Sequence, residues 1–191
     1  DFIGNYASST TSSANGGAIS NSDTIGDITG DFISNSATSI EQQASGGAIY
    51  NNDYSETIGN ITGDFIGNYA SASASGSYAS AYGGAIHNYV GTIGDITGDF
   101  IGNYASSSGS TAGGGAIVNT GTISSITGDF VNNYAEGVST ALGGAISNIG
   151  TISGYDVPSD HILPIDVISM DIVLSDTGER IPFYQSVVLS Q

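Results

Sequence analysis

Apolar residues recur along this chain in short phrases, never in long runs. Ile28, Gly30 and Phe32 alternate with Thr29, Asp31 and Ile33, the period-two pattern of a strand, and the same alternation returns at Ile61, Ile96 and Ile126. No stretch carries apolar residues at the 3.6 spacing of an amphipathic helix. The phrases are rich in Ile, Phe, Tyr and Thr and are separated by Gly, which predicts strands.

The phrases cycle in a fixed order. DFIGNYA or a near-copy begins at Asp1, Asp31, Asp64, Asp99 and Asp129. GGAI, followed by one residue and Asn, begins at Gly16, Gly46, Gly83, Gly114 and Gly143. TI-x-x-IT begins at Thr24, Thr57, Thr92 and Thr122, and a truncated TISG closes the series at Thr151. The Phe residues of successive DFIGN phrases lie 30 to 35 positions apart, while the Thr that opens TI-x-x-IT and the following Phe are always eight apart. The variation sits in the Ser-, Ala-, Thr- and Gly-rich link between NYA and GGAI. Fixed segments alternating with an elastic one describe a coil with one corner in solvent. Three short strands per coil of about 30 residues predict an all-β parallel β-helix, a β-solenoid of about five coils over residues 1–154.

In such a fold each repeated letter becomes a ladder with a rise of about 4.8 Å. Phe2, Phe32, Phe65, Phe100 and Phe130 are expected to stack in the core, and Ile19, Ile49, Ile86, Ile117 and Ile146 to line it. Ala18 and its copies stand where two strands come close, beside a Gly pair that frees the backbone at a corner. Two Asn ladders run unbroken: Asn5, Asn35, Asn68, Asn103 and Asn133, then Asn21, Asn51, Asn88, Asn119 and Asn148. A stacked amide donates to one neighbour and accepts from the other, and Asn tolerates the left-handed backbone of tight corners.

The Asp ladder (Asp1, Asp31, Asp64, Asp99 and Asp129) is harder to explain, because like charges at strand spacing repel. Solvent exposure, raised pKa values or a bound hard cation such as Ca²⁺ would each relieve it. Parity leaves a second question. The residue after Phe is always aliphatic (Ile3, Ile33, Ile66, Ile101, Val131), so either the chain bends after Phe or an aliphatic stripe runs down the outside.

Composition narrows the partners. The 191 residues include 29 Gly and no Cys or Trp, and one Lys or Arg stands against 18 acids, a net charge of −17. That balance disfavours nucleic acid and anionic membrane surfaces. A hydrophobic fraction of 39% in register argues against a disordered acidic tail. No apolar run approaches the roughly 20 residues of a membrane span. The chain opens inside a repeat, as a processed product or fragment would.

The five ordered pairs of GGAI and DFIGN resemble the GGA(I/L/V) and FxxN repeats of the polymorphic membrane proteins of chlamydiae, which are surface autotransporters. FxxN maps onto Phe2 with Asn5, Phe32 with Asn35, Phe65 with Asn68, Phe100 with Asn103 and Phe130 with Asn133. The resemblance covers residues 1–154. It implies a right-handed β-helical passenger at the bacterial cell surface, adhesive towards a host or cell-surface receptor and prone to self-association.

From about residue 155 to 191 the pattern changes. All three Pro, the single Met and the single Arg lie here, and alternation in DVISMDIVLS and IPFYQSVVLS predicts strands about a turn near Asp176–Gly178. The segment reads as a β cap over the solenoid end or as an assembly element offering a strand to a neighbour. The last coil ends where an interior coil would be followed by DF, so one copy is expected to continue into the next head to tail, an open contact that makes filaments. An extracellular structural or adhesive role is therefore expected, with no catalytic residue. A polysaccharide-degrading β-helix is the alternative, but it needs a unique constellation, and the acids here are mostly repeated. His87 and His161 read as packing or surface residues. Ice binding by stacked Thr is a third class, weakened because Thr residues five apart on an unbroken strand face opposite ways.

Overall fold

A computed structural model describes residues 1–52, 56–73, 79–156, 171–173 and 180–182. Among them every regular element is a strand, and all pairings up to Asp156 are parallel and join equivalent positions of successive coils. Phe2 pairs with Phe32, Phe32 with Phe65, Phe65 with Phe100 and Phe100 with Phe130, so the expected register holds through five coils. The chain is a β-solenoid.

Each coil is more finely divided than the expected three strands. Five parallel sheets run along the axis. In the first coil their strands are Phe2–Ile3, Tyr6–Ser9, Ala14–Asn15, Ile19–Asn21 and the pair Thr24–Ile25 and Ile28–Thr29. The cause is a left-handed corner two residues after each Phe, with φ between 54° and 65° at Gly4, Ser34, Gly67, Gly102 and Asn132. A second such corner falls at the first Gly of each pair, φ 55–62° at Gly16, Gly46, Gly83, Gly114 and Gly143.

Two separate cores fill the coil. The larger contains the Phe ladder, the Ile of GGAI, both Ile of TI-x-x-IT and the Ala of GGAI. Its rings stack nearly parallel, with centroids 4.5–4.8 Å apart. The smaller is built from Ala: Ala44, Ala70, Ala72, Ala79, Ala81, Ala105 and Ala112. The wall between them is backbone. A Cβ on Gly47 would lie 2.0 Å from the Gly84 carbonyl oxygen of the next coil and 2.5 Å from that of Tyr69, and Gly17, Gly84 and Gly115 are equally confined. The close approach expected at Ala18 and its copies thus falls on the second Gly, and the Ala lines the larger core. The elastic link is also shorter than expected, because part of it forms the two strands around the Ala core, leaving 10–13, 40–43, 108–110 and 138–139 between those strands.

The boundary expected at residue 154 falls within a strand. Thr151–Asp156 pairs with Thr122–Thr127, with Asp156 opposite Thr127. Asp171–Val173 and Arg180–Pro182 pair antiparallel, as the expected hairpin requires. Its turn near Asp176–Gly178, His161 and the rest of the cap or assembly segment lie outside the described residues. Among the described residues no helix is long and apolar enough to cross a membrane.

Candidate functional site: coil edges and a non-repeating aromatic cluster

Both Asn ladders form as expected, and they have a direction. Asn35 donates its backbone N–H and its Nδ2 to Oδ1 of Asn68, each at 2.9 Å, while Nδ2 of Asn68 also donates back to the Phe32 carbonyl at 2.8 Å. Asn5, Asn68 and Asn103 repeat the forward bonds to Asn35, Asn103 and Asn133. In the second ladder Nδ2 donates forward from Asn21 to Asn51, Asn88, Asn119 and Asn148 in turn, at 2.7–2.9 Å. Asn35, Asn68, Asn103, Asn51, Asn88 and Asn119 are fully buried, so these amides hold the corners and face no solvent.

The Asp ladder runs the opposite way. The backbone N–H of Asp31, Asp64, Asp99 and Asp129 donates to Oδ1 of Asp1, Asp31, Asp64 and Asp99 respectively, at 2.9–3.2 Å. Each carboxylate thus accepts the amide of the next coil's Asp, which gives the repeated acid a stacking role. Asp31, Asp64, Asp99 and Asp129 are half-buried, so water still screens them in part. Among the described residues no three His, Cys, Asp or Glu side chains converge as a metal-binding group.

The two edges of a coil therefore differ. One presents Asn N–H and Nδ2, Asp Oδ1 and the Phe carbonyl; the other presents Asn Oδ1, Asn Nδ2 and the Asp N–H. Within the chain each edge is complementary to the opposite edge of the next coil.

The outer surface answers both parity questions. The bend comes one residue after the aliphatic position, so that residue faces out. Ile3 is 62% exposed, and Ile33, Ile66, Ile101 and Val131 are half-buried. Beyond the corner Tyr69, Tyr104 and Tyr134 stack at 5.1 and 5.3 Å. Burial and contact with its two neighbours raise the Tyr104 pKa. In TI-x-x-IT both Ile are buried and both Thr face outward, as at Thr92, Ile93, Ile96 and Thr97. Two successive outward residues, Gly94 and Asp95, reset the alternation, so two Thr columns share the outside.

One cluster breaks the repeat. The outward position of the GGAI-x-N strand reads Ser20, Tyr50, His87, Val118 and Ser147 along the axis. His87 packs against Tyr50, Tyr82 and Tyr89, with ring centroids at 5.4, 5.6 and 5.8 Å. It is 3% exposed, and burial lowers its pKa to about 3, so the imidazole is neutral at physiological pH. Its buried Nδ1 has no hydrogen-bond partner among the described residues. Tyr50 donates to Oδ1 of Asn52 at 2.7 Å, and the backbone N–H of Asn52 donates to buried Glu56 at 3.2 Å. Burial first, then Tyr89 and Glu56, raise the Tyr50 pKa. Reading His87 as a packing residue captured its burial but missed the cluster. The signal available was the concentration of Tyr82, His87 and Tyr89 in one coil.

No protein-family model, curated protein or solved structure matches the chain.

Proposed function

We propose that this chain is a structural and adhesive solenoid acting at a bacterial cell surface, and that copies of it associate head to tail through their coil edges. The directional ladders carry this reading. A coil edge that donates from Asn35 and accepts at Asp31 matches the opposite edge, and a second copy offers that same opposite edge at its own end. Such a contact is heterologous and continues without closing. The repeated polar residues serve stacking, which favours a scaffold over an enzyme. The net charge of −17 opposes association of copies, so assembly strengthens as salt screens it. The GGAI and FxxN repeats, similar to those of surface autotransporters, favour an extracellular site and a receptor-binding role. Electron micrographs of the full chain at low and high salt test the reading through the presence of unbranched fibres.

The paired outward Thr columns favour ice binding as a second reading, although Asp27 and Asp95 stand between them. Thermal hysteresis of the freezing point separates it from the first.

A further inference from the structure

We propose that Tyr50, Tyr82, His87 and Tyr89 form a binding site for a neutral saccharide ring on the outside of the second and third coils. The proposal rests on the adhesive part of the reading above and names the class of ligand.

Stacking explains the repeated residues, but it does not explain these four. At the outward position held by His87, other coils carry exposed Ser20, half-buried Tyr50 and Ser147, and buried Val118, so His87 is the one titratable imidazole in the column and the one ringed by tyrosines. Three aromatic rings enclose the imidazole, and Tyr89 remains 48% exposed, leaving apolar ring surface at the rim. Sugar C–H faces pack on such rings, and aromatic side chains with a few fixed polar groups are the usual furniture of small-ligand sites.

The polar groups select a hydroxyl. An unpartnered buried nitrogen costs free energy and calls for a partner. A hydroxyl both donates and accepts, so it satisfies Nδ1 of His87 in either tautomer. Buried Glu56 accepts from the Asn52 backbone N–H and places negative charge beside Tyr50, whose hydroxyl donates to Asn52. The chain has no Lys and a single Arg, Arg180, so cations that could neutralise an acidic sugar are scarce. Glu56 and the overall negative charge repel one. The site therefore fits a neutral hexose better than a sialylated or sulfated glycan. Reaching Nδ1 requires one tyrosine of the rim to turn aside, which places Tyr89, the most exposed member the structure describes, as the moving part.

The test uses the full chain with its two histidines labelled with ¹⁵N and titrated with lactose, cellobiose and mannobiose, with sialyllactose as the charged comparison. The expected result is a shift of the His87 imidazole nitrogens with at least one neutral disaccharide. Affinity should fall about tenfold or more in both His87→Val and Tyr89→Ala. Val is the residue that the next coil carries at the same register position, Val118, so the solenoid should accept it. If His87→Val nonetheless loses the strand signal in circular dichroism, Tyr89→Ala decides alone. No shift with any neutral sugar, equal affinity in the variants, or binding of sialyllactose alone overturns the proposal. Fibre formation is unaffected by either variant, so an unsubstituted chain that forms fibres but binds no neutral sugar refutes this site and leaves head-to-tail assembly standing.

Discussion

Asn35 places both its backbone N–H and its side-chain amide on one oxygen, Oδ1 of Asn68, and both atoms are buried. Replacing Asn68 by Ala strands those two donors and the Phe32 carbonyl that Asn68 also serves. The expected loss is at least about 3 kcal/mol, since each of the three orphaned buried groups costs about 1–3 kcal/mol. Asn68→Asp keeps the acceptor but turns an anion towards Oδ1 of Asn103 and the Phe32 carbonyl. It should be at least as damaging at pH 7 and partly recover in acid. Denaturant midpoints of the two variants check both expectations.

Glycines in this chain divide by what surrounds them. A Cβ on Gly67 meets nothing closer than Oγ of Ser34 at 3.8 Å, so Gly67→Ala pays only the left-handed backbone cost of about 1–2 kcal/mol. A Cβ on Gly47 collides with the next coil's backbone, so Gly47→Ala should abolish folding. Ser34 occupies the corner that Gly fills in three other coils, and Ser34→Gly should stabilise by up to about 1 kcal/mol. Soluble yield and melting temperature separate the three.

The ladders were legible because a stacked fold repeats its letters at fixed offsets: Phe32, Asn35 and Ile49 could be placed by counting. Parity counting failed where the backbone leaves the extended region. Parity holds at Ile33, which faces out opposite buried Phe32, but the doubled outward pair Gly94–Asp95 puts Thr92 and Thr97 on the same side. The Ala core escaped notice because the link around it looked like solvent-facing spacer. Yet an Ala stands two residues before every Gly pair, at Ala14, Ala44, Ala81, Ala112 and Ala141. That column, with Ala37, Ala70 and Ala105 facing it, was the available signal. The direction of the hydrogen bonds and the enclosure of His87 depend on side-chain geometry that letters do not carry.

Acid should weaken the fold through His87. Its pKa of about 3 in the folded chain lies below the ordinary value of 6.5, so the unfolded chain takes up the proton first. The stability linked to this group is complete above pH 6.5 and is lost as the pH falls from there towards about 3. His87→Val should flatten that part of the curve. Melting temperatures from pH 4 to 8, compared between the two proteins, test it.

Within the Asp ladder, Asp64→Asn keeps an oxygen for the Asp99 amide and removes one charge from the column. A gain of up to about 1 kcal/mol is expected, shrinking as salt screens the repulsion. Asp64→Ala removes the acceptor and should destabilise. With each carboxylate serving the next coil, sodium chloride should raise the melting temperature and chelation should leave it unchanged. A fall on chelation would instead assign a cation to these aspartates.

Electron micrographs of the full chain across protein concentration and ionic strength test most directly whether the directional coil edges join one copy to the next. Unbranched fibres of uniform width, lengthening with concentration and with salt, are the predicted result. A single-chain mass at every concentration and salt, with no fibres in the micrographs, would contradict head-to-tail assembly.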